Sequence, residues 1–514
     1  MRAQQAPVVV ICDDVGAAPS PLRLGELTMR LRRELSGAVV VGVPALCRAP
    51  KALADVLTAL LPERVVLGCR GASQRRDELL MALRRSGVAA AGCDVVDLLA
   101  ADCSDEEVVL EQSVTLLRAA VARVADADLE APVRERTSLS VGALSRRSLF
   151  SGISAARHLI AVWRPERCAG GAACSACVLA CPHGALRREG GRLVVDGDRC
   201  TGCGVCAVAC RSGAFALPGA SFDGLGAAAG VLVESIRRGT PACGVAIACQ
   251  ASRTAPEVGE PWLVLRVPSL EIVTAGWLLQ LAGAAVGARV VACRDKDCER
   301  RAGELEGFVH AVAEVLGFSL EGSAGAGERP SMGPAKPAPS LSARLEFQEP
   351  EATTQALAAL GAFEPGRPHW RAAGRGCSLG VVSIDPAGCS LCGVCVGACP
   401  TGALAAERDG AGSLRLSLDS RRCSSCGACV DICPERVMTL HRGLDSTLLA
   451  AGRRVMATES TAVCETCRAP LDTALSPAVL ARMAGPYPFL ATGAEKICAD
   501  CRLKGRSVKV GQRA

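Results

Sequence analysis

The sequence predicts a multidomain protein of the α/β plus α+β class, in which parallel-sheet α/β domains alternate with small cysteine-rich domains. Three observations predict it. The chain has 514 residues, and domains usually contain about 100 to 200 residues each. Residues 7–126 and 219–322 alternate short β-branched runs with amphipathic stretches. Thirty cysteines are present, and most recur at short regular spacings in two dense regions.

Composition shifts divide the chain further. Residues 321–342 are rich in Gly, Pro, Ala and Ser, which is the composition of a flexible linker. The predicted segments are an α/β domain at 1–130, a linker at 131–160, a cysteine-rich domain at 161–218, an α/β domain at 219–322, a linker at 323–375, a cysteine-rich domain at 376–445 and a tail at 446–514.

The first α/β domain is predicted from four strand-like runs, "PVVVIC", "GAVVVGV", "ERVVLGC" and "GVAAAGC", with helical stretches such as "SQRRDELLMALRRS" between them. Cys12, Cys47 and Cys69 fall at or just beyond the carboxyl ends of three predicted strands, and Cys93 closes the fourth. Carboxyl ends line the ligand crevice of an open α/β sheet, so these thiols could converge on a cluster. The alternative is that they are buried as small apolar residues.

The second α/β domain is predicted from the strands "GVAIAC", "WLVLRV" and "ARVVAC" and a helix over about residues 271–285. The glycine-rich "GLGAAAG" at 224–230 lacks the preceding strand and third-glycine position of a dinucleotide loop. We expect it to be the start of a helix.

Cysteine usage favours a reducing cytosol, since the N-terminal apolar run is too short for a secretion signal. The twin-arginine-like "LSRRSLFSG" at 144–152 lies far from the N terminus, where an export signal would be placed. The longest uncharged apolar run, Ile272 to Ala288, has 17 residues and includes Gln280, which is short for a membrane span. We expect a cytoplasmic protein without a membrane span.

The clearest pattern is C-x2-C-x2-C-x3-C. It occurs three times, as "CTGCGVCAVAC", "CSLCGVCVGACP" and "CSSCGACVDICP". This spacing lets one tight loop place three thiolates around a [4Fe–4S] cubane, while the fourth points to a neighbouring cluster. A fourth segment, "CAGGAACSACVLACP", has five residues in place of two between Cys168 and Cys174. Zinc also takes four thiolates, but the doubled arrangement favours iron and sulfur.

These segments resemble bacterial-type two-cluster ferredoxin domains. The resemblance implies crossed ligation, in which each cluster takes three cysteines from one segment and one from its neighbour. The implied ligand sets are Cys168, Cys174, Cys177 and Cys210; Cys200, Cys203, Cys206 and Cys181; Cys389, Cys392, Cys395 and Cys433; and Cys423, Cys426, Cys429 and Cys399. All-cysteine clusters move single electrons and offer no open coordination site, so we expect no catalytic residue among them.

The formal net charge of +6 counts every cysteine as neutral. A [4Fe–4S] cluster with four thiolates carries about −2, so four clusters would bring the net charge to about −2. The basic composition therefore gives no support to nucleic-acid binding.

In the second α/β domain, "CGVAIACQAS" and "VVACRDKDCERRAG" resemble the iron–sulfur (delta) subunit of methyl-viologen-reducing hydrogenase. That family implies a [2Fe–2S] cluster, here at Cys249, Cys293 and Cys298. A departure is Ser269 after Pro268, where the family has cysteine, and Cys243 is a candidate fourth ligand. The alternative is a docking domain whose remaining thiols are free or redox-sensing.

The segment "RVVLGCRGASQRRDELLMALRRSGV" resembles the N-terminal part of the flavin-bearing, A-type subunit of heterodisulfide reductase, and "VPALCRAP" sits where that family has another cysteine. The resemblance implies a further cluster in this domain. The family's large flavin domain does not follow in this chain.

The tail carries "CETC" and "CADC", with Cys464, Cys467, Cys498 and Cys501. Paired C-x2-C knuckles make a closed tetrahedral thiolate site, most often for structural zinc. Another iron–sulfur centre or rubredoxin-like iron is the alternative.

Together these features predict an oxygen-sensitive electron-transfer protein that works as a non-catalytic subunit more than as an enzyme. The resemblances imply partners such as a hydrogenase or formate dehydrogenase and a heterodisulfide-reductase-like complex. The sequence leaves two alternatives open. One is a thiol/disulfide or sulfur-converting oxidoreductase subunit whose catalysis takes place in the N-terminal domain, and the other is a redox sensor or scaffold that uses its clusters structurally.

Overall fold

The computed structural model describes residues 6–13, 24–44, 50–98, 105–129, 134–140, 154–168, 174, 176–189, 192–210, 212–217, 219–252, 255–256, 258–293, 295–318, 345–347, 350–373, 377, 379–408, 413–459, 466–467 and 500–501. The chain divides into two compact units, one built mainly from residues up to Pro368 and the other mainly from Leu379 onward.

The first unit begins with an α/β domain built on a four-stranded sheet. Its elements are β1 (Val8–Asp13), α1 (Leu24–Glu34), β2 (Val39–Pro44), α2 (Pro50–Leu60), β3 (Val65–Cys69), α3 (Ala72–Arg85), β4 (Cys93–Asp97) and α4 (Glu106–Ala125). The strand order is β2-β1-β3-β4 and every pair is parallel. This confirms the parallel sheet that the alternating runs predict.

The sheet is covered on both faces, which explains why its strands are almost wholly apolar. Successive side chains of β1 enter opposite cores: Ile11 packs in one cluster with Leu117 of α4, and Cys12 packs in the other with Leu83 of α3. Alternation along a strand therefore distributes one apolar run between two layers of helices.

The predicted fourth strand is wrong in its position. The run "GVAAAGC" contains a short 3-10 helix, Ala90–Gly92, and β4 starts at Cys93 where the predicted strand would end. At Gly92 a Cβ atom would lie 2.6 Å from the carbonyl oxygen of Glu63, so the small residues form a close turn beside the sheet. The β-branched pair of "CDVVD" forms the strand instead. Cys93 consequently pairs with Val65 at the amino edge of the sheet.

The segment predicted as a linker at 131–160 contains two strands. β5 (Arg134–Ser140) and β6 (Ser154–Ile160) form an antiparallel pair. The first cysteine-rich domain follows, with α5 (Ala176–Ala180), β7 (Leu186–Glu189), β8 (Arg192–Val195) and α6 (Val205–Ala209). The strands β7 and β8 form an antiparallel hairpin between the two cysteine-bearing helices.

The second α/β domain has a three-stranded parallel sheet in the order β10-β9-β11. Its elements are α7 (Phe222–Arg238), β9 (Gly244–Cys249), β10 (Trp262–Val267), α8 (Ala275–Gly283), β11 (Gly287–Val291) and α9 (Lys296–Leu316). These agree with the predicted strands and helix. The "GLGAAAG" run lies inside α7, as expected of a helical segment.

The two α/β domains pack together through α4 and α7. A Cβ atom at Gly224 would lie 2.4 Å from the carbonyl oxygen of Arg123, so a glycine permits this close approach. The amide of Gln112 in α4 donates to the carbonyl oxygens of Pro241 and Glu260, at 2.7 and 3.0 Å. It also accepts from the Gly259 amide, at 2.7 Å.

A helix that the sequence did not predict lies inside the expected linker at 323–375. This helix, α10 (Pro350–Ala359), packs against α8. The ring of Trp277 in α8 stacks on Phe347 with centroids 3.9 Å apart, and its indole N–H donates to the Phe347 carbonyl oxygen. The second α/β domain therefore continues beyond residue 322.

The second unit contains the other cysteine-rich domain. Its elements are β12 (Arg371–Ala373), β13 (Gly380–Ile384), α11 (Val394–Ala398), β14 (Leu404–Arg408), β15 (Leu414–Asp419), α12 (Ala428–Ile432), β16 (Met438–Asp445), α13 (Ser446–Ala451) and β17 (Arg453–Glu459). They form two antiparallel sheets, β12-β16-β13 and β14-β15-β17. Because β17 pairs with β15, this domain continues into the segment predicted as the tail.

No helix in the described parts of the chain is long and apolar enough to cross a membrane.

Candidate metal centres

The three regular cysteine patterns share one local structure. In each, a glycine with positive φ directly follows the second cysteine and caps a five-residue helix that carries the third. These glycines are Gly204 before α6 (φ 82°), Gly393 before α11 (φ 73°) and Gly427 before α12 (φ 78°). Positive φ is the conformation that glycine adopts without a steric penalty. The "C-G-x-C" part of the pattern therefore has two roles. Its cysteines are spaced as ligands, and its glycine forms the turn that caps the short helix.

Three cavities are each lined by four cysteines, three from one pattern and one from the neighbouring segment. The four-cysteine sets are Cys181, Cys200, Cys203 and Cys206; Cys399, Cys423, Cys426 and Cys429; and Cys389, Cys392, Cys395 and Cys433. Each set is the one that the ferredoxin resemblance implies for one cluster. The chain topology therefore brings the fourth cysteine of three segments, Cys181, Cys399 and Cys433, to the neighbouring loop.

Backbone amides donate to the sulfur atoms in these domains. Ala185 donates to Cys181 Sγ at 3.3 Å, Ala214 to Cys210 Sγ at 3.3 Å and Leu391 to Cys389 Sγ at 3.4 Å. Such N–H···S bonds offset negative charge on the thiolates and help to set the reduction potential of a cluster.

Burial and mutual repulsion act against ionisation of the thiols. Burial, with a smaller contribution from neighbouring cysteines, raises the pKa of Cys395 to about 11 and that of Cys429 to about 12. Burial also raises the pKa of Cys423 to about 11. At neutral pH these thiols stay protonated without a metal, so cluster assembly must displace their protons.

The remaining predicted set is Cys168, Cys174, Cys177 and Cys210. Cys168 follows a short 3-10 helix, Pro165–Arg167, Cys177 lies in α5 and Cys210 directly follows α6. Residues 169–173 and 175 lie outside the described residues. This fourth ligand set stays a prediction.

In the second α/β domain, the structure brings Cys249, Cys293 and Cys298 together, with their sulfur atoms all within 4.8 Å of one another. Cys249 ends β9, Cys293 lies two residues beyond β11, and Cys298 lies in the first turn of α9. The three therefore meet at the carboxyl edge of the sheet, where ligands bind in this class of fold.

Two other residues are candidate ligands for that site on sequence grounds. Cys243 precedes β9, whereas Cys249 ends it, and a six-residue strand spans about 20 Å. Cys243 therefore lies at the wrong edge to be a fourth ligand. Ser269 caps a 3-10 helix after β10, and its hydroxyl accepts from the Glu271 amide at 3.2 Å.

The trio does not fit a [2Fe–2S] cluster. Such a cluster takes four ligands, two on each iron, and sulfurs on opposite irons lie about 5.5 Å or more apart. Here the domain brings three cysteines together, and every sulfur pair is within 4.8 Å.

In the N-terminal domain, Cys12 and Cys69 lie at the carboxyl ends of the paired strands β1 and β3, as expected, and each is 1% exposed. Cys93 lies at the opposite edge of the sheet. All three belong to one apolar cluster. Cys47 falls outside the described residues, so a further cluster in this domain stays a prediction.

A charged cavity of about 360 Å³ between the two α/β domains has no counterpart among the sequence-based expectations. Asp94 on β4 accepts from Arg76 at 2.6 Å and from Arg123 at 3.2 Å, and all three are almost fully buried. Arg266 on β10 donates to Ser73 Oγ at 3.0 Å across the domain boundary. Sequence reasoning missed this network; the lone aspartate within the apolar run "CDVV" is the signal that could have indicated it.

The predicted zinc ligands of the tail lie largely outside the described residues. Cys467 is exposed and Cys501 is half-buried, while Cys464 and Cys498 are not described. The zinc site stays a prediction.

Three segments of the chain match ferredoxin-type family models. Residues 381–434 match the 4Fe-4S dicluster domain, residues 193–216 the 4Fe-4S binding domain and residues 416–466 the 4Fe-4S single cluster domain. The first contains the eight cysteines of "CSLCGVCVGACP" and "CSSCGACVDICP", and the second contains the "CTGCGVCAVAC" pattern. No curated protein matches the chain. These matches, with the cysteine-lined cavities, support ferredoxin-type domains that bind iron–sulfur clusters and transfer electrons.

Proposed function

We propose that this chain relays low-potential electrons between partner oxidoreductases through four [4Fe–4S] clusters. The observation that carries the proposal is the crossed grouping of cysteines, in which three cavities are each lined by four thiols from two segments. The fourth cluster is proposed at Cys168, Cys174, Cys177 and Cys210 by analogy with its neighbour.

The arrangement favours a relay over a catalyst. With four cysteine ligands a cubane has no open iron for substrate, so its chemistry is the gain and loss of one electron. Two clusters per domain, joined by crossed ligation, lie close enough to pass an electron on. Amide donors to Cys181, Cys210 and Cys389 stabilise the added negative charge of the reduced state.

For partners, we propose a hydrogenase or formate dehydrogenase on one side and a heterodisulfide-reductase-like complex on the other. This rests on the resemblances of the two α/β domains. It is supported by the strand-end positions of Cys12 and Cys69 in the first and of Cys249 and Cys293 in the second.

The redox part of the proposal is tested on the anaerobically purified full chain by a titration followed by electron paramagnetic resonance. We expect about 16 iron atoms per chain and clusters that reduce between about −250 and −600 mV. In Cys429→Ala the iron content should fall by about four atoms with loss of one cluster signal. Clusters that stay oxidised throughout this window would favour a structural role and contradict the relay.

Cys377→Ala is the matched control, since Cys377 is also buried but lies outside the four-cysteine patterns. Its iron content and titration should equal those of the unsubstituted chain. A loss of iron as large as that in Cys429→Ala would contradict the assigned ligand sets.

The partner proposal is tested by anaerobic affinity purification of the tagged chain from its native cell. Co-purification of a hydrogenase, formate dehydrogenase or heterodisulfide-reductase-like protein is the expected result. Recovery of the chain with redox enzymes of other classes, or with none, would contradict it.

A further inference from the structure

The three sulfur atoms of Cys249, Cys293 and Cys298 have the spacing of ligands to a single metal ion. With metal–sulfur bonds of about 2.3 Å, two thiolates on one ion lie about 3.8 Å apart in tetrahedral geometry and about 4.0 Å apart in trigonal geometry. Every pair of sulfur atoms in the trio lies within 4.8 Å, which accommodates one ion at the centre of the trio.

The ferredoxin domains provide an internal comparison. Two ligand sulfurs of a [4Fe–4S] cubane stand about 6.4 Å apart, because each binds a different iron. Within the part of the chain that the structure describes, the trio is the single group of three or more Cys, His, Asp or Glu ligand atoms lying within 4.8 Å of one another. Among the four-cysteine sets around the three cavities, no three sulfur atoms all lie within 4.8 Å of one another, whereas those of the trio do.

The surroundings of the trio suit a compact group of thiolates. Asp295 caps α9 by accepting from the amides of Asp297 and Cys298, which fixes the first turn. The Cys293 amide donates to Cys298 Sγ at 3.4 Å. The amino end of a 21-residue helix carries partial positive charge and favours anionic ligands.

A second positive group, the guanidinium of Arg266, contacts the backbone at Cys249. The Arg266 guanidinium donates to the carbonyl oxygens of Cys249, at 3.4 Å, and Ser252, at 3.0 Å. A divalent ion with three thiolates has a net charge of about −1. The helix end and Arg266 compensate that charge.

We propose that Cys249, Cys293 and Cys298 form a mononuclear site for a thiophilic divalent metal, Zn²⁺ in the test below, with a fourth ligand from outside the trio. Three thiolates select a soft or borderline ion, and zinc sites with three protein ligands leave one position for an exogenous ligand. The hydroxyls at this edge already have partners: Ser252 Oγ donates to the Ala292 carbonyl oxygen at 3.0 Å, and Ser269 Oγ caps its helix. Metal binding releases the thiol protons and involves no change of oxidation state.

The test compares zinc, iron and acid-labile sulfide in the full chain and in a variant carrying Cys249→Ala, Cys293→Ala and Cys298→Ala, both purified anaerobically with added zinc. We expect the variant to lose one zinc per chain and no iron or sulfide. Cys243→Ala, at the other end of β9, is the matched control and should lose none of the three. The unchanged iron content also reports that the ferredoxin domains have folded.

Two results would overturn the proposal. Loss of two iron atoms and two sulfides would assign a [2Fe–2S] cluster to the trio, and an unchanged zinc content would leave the three thiols without a metal. A measurement on the unsubstituted chain removes any dependence on folding of the variant. After exchange with ¹¹³Cd, a nuclear magnetic resonance signal in the three-sulfur range is expected, distinct from any four-sulfur signal, and its absence would count against the site.

Discussion

Asp94 is a buried carboxylate that pairs with two buried arginines, Arg76 and Arg123. Burial by itself favours its protonated form, but Arg123 and Arg76 outweigh that effect and lower the pKa of Asp94. The carboxylate also accepts from the Val95 amide at 2.8 Å. One anion thus holds two buried cations at the boundary of the two α/β domains, where Arg123 also donates to the Arg266 carbonyl oxygen.

We predict that Asp94→Asn strongly destabilises the first unit. Removing the charge leaves the guanidinium groups of Arg76 and Arg123 buried without their shared counter-ion, at a cost of about 3 to 5 kcal/mol. Anaerobic thermal unfolding followed by circular dichroism measures the change. The matched control is Glu78→Gln in the same domain, whose partner pair with Arg75 is exposed and contributes about 0 to 1 kcal/mol. Equal shifts in the two variants would contradict the role of Asp94.

At the scale of elements, the sequence predicted the structure correctly where a segment's own residues determine its conformation. The cysteine patterns encode loop, cap and ligand spacing within about a dozen residues, and β1, β3, β9 and β10 lie where their apolar runs predict. The displaced β4 and the missed α10 depend on partners distant in sequence. The Ala–Gly run before β4 turns beside Glu63, and α10 follows a linker-like composition but packs against α8.

The contrast between local sequence and distant partners also applies to the site at Cys249, Cys293 and Cys298. The sequence identified Cys249, Cys293 and Cys298 as a group through the resemblance of their segments to one family. Their mutual distance depends on the register of β9 with β11 and on the start of α9. Neither is encoded in the cysteine spacing, so the kind of site became apparent only from the fold.

The capping glycines give a prediction for these short helices. Gly204 and Gly393 have similar φ angles, 82° and 73°. A Cβ atom at Gly204 would lie 2.6 Å from Leu217 Cδ1 and 2.7 Å from Ile272 Cγ2. At Gly393, apart from its two chain neighbours and the backbone of its own helix, no atom lies within 4 Å of the added Cβ atom. Alanine at either position incurs about 1 to 2 kcal/mol for positive φ, and Gly204→Ala adds about 1 to 3 kcal/mol of overpacking.

We therefore expect Gly204→Ala to lower the midpoint of urea-induced cluster bleaching, read from the visible absorbance, clearly more than Gly393→Ala. Gly427→Ala is a second comparison, because the nearest neighbour that its new Cβ atom would meet, Leu440, is 3.9 Å away. Similar decreases of the midpoint in all three variants would show that backbone strain alone causes the destabilisation. The contact of α6 with Ile272 would then contribute nothing.

At the scale of the whole molecule, the first unit joins three modules in one compact body. Helices α4 and α7 connect the two α/β domains, and α6 of the first cysteine-rich domain contacts the 3-10 helix Leu270–Ile272 of the second α/β domain. The cluster proposed at Cys181, Cys200, Cys203 and Cys206 would therefore lie beside the domain that carries the trio. This contact would give the proposed relay a physical connection between the first cysteine-rich domain and the second α/β domain.

The four proposed clusters would also determine the sign of the protein's net charge. With neutral thiols the formal charge is +6 at pH 7, and four all-cysteine [4Fe–4S] clusters change it by about −8, to about −2. A zinc ion on the four tail cysteines would add about −2. The intact protein is thus expected to be acidic although its sequence is basic.

Anaerobic native electrophoresis at pH 7 tests this. The cluster-loaded chain should migrate toward the anode, and the chain stripped of metal and alkylated with iodoacetamide, which leaves each sulfur neutral, should migrate toward the cathode. Removing one ligand set with Cys423→Ala, Cys426→Ala and Cys429→Ala should make the loaded chain less negative by about two charges, with about four fewer iron atoms. A loaded chain that still moves toward the cathode would contradict the proposed number of clusters, because only the thiolate-bound clusters supply enough negative charge to reverse the migration.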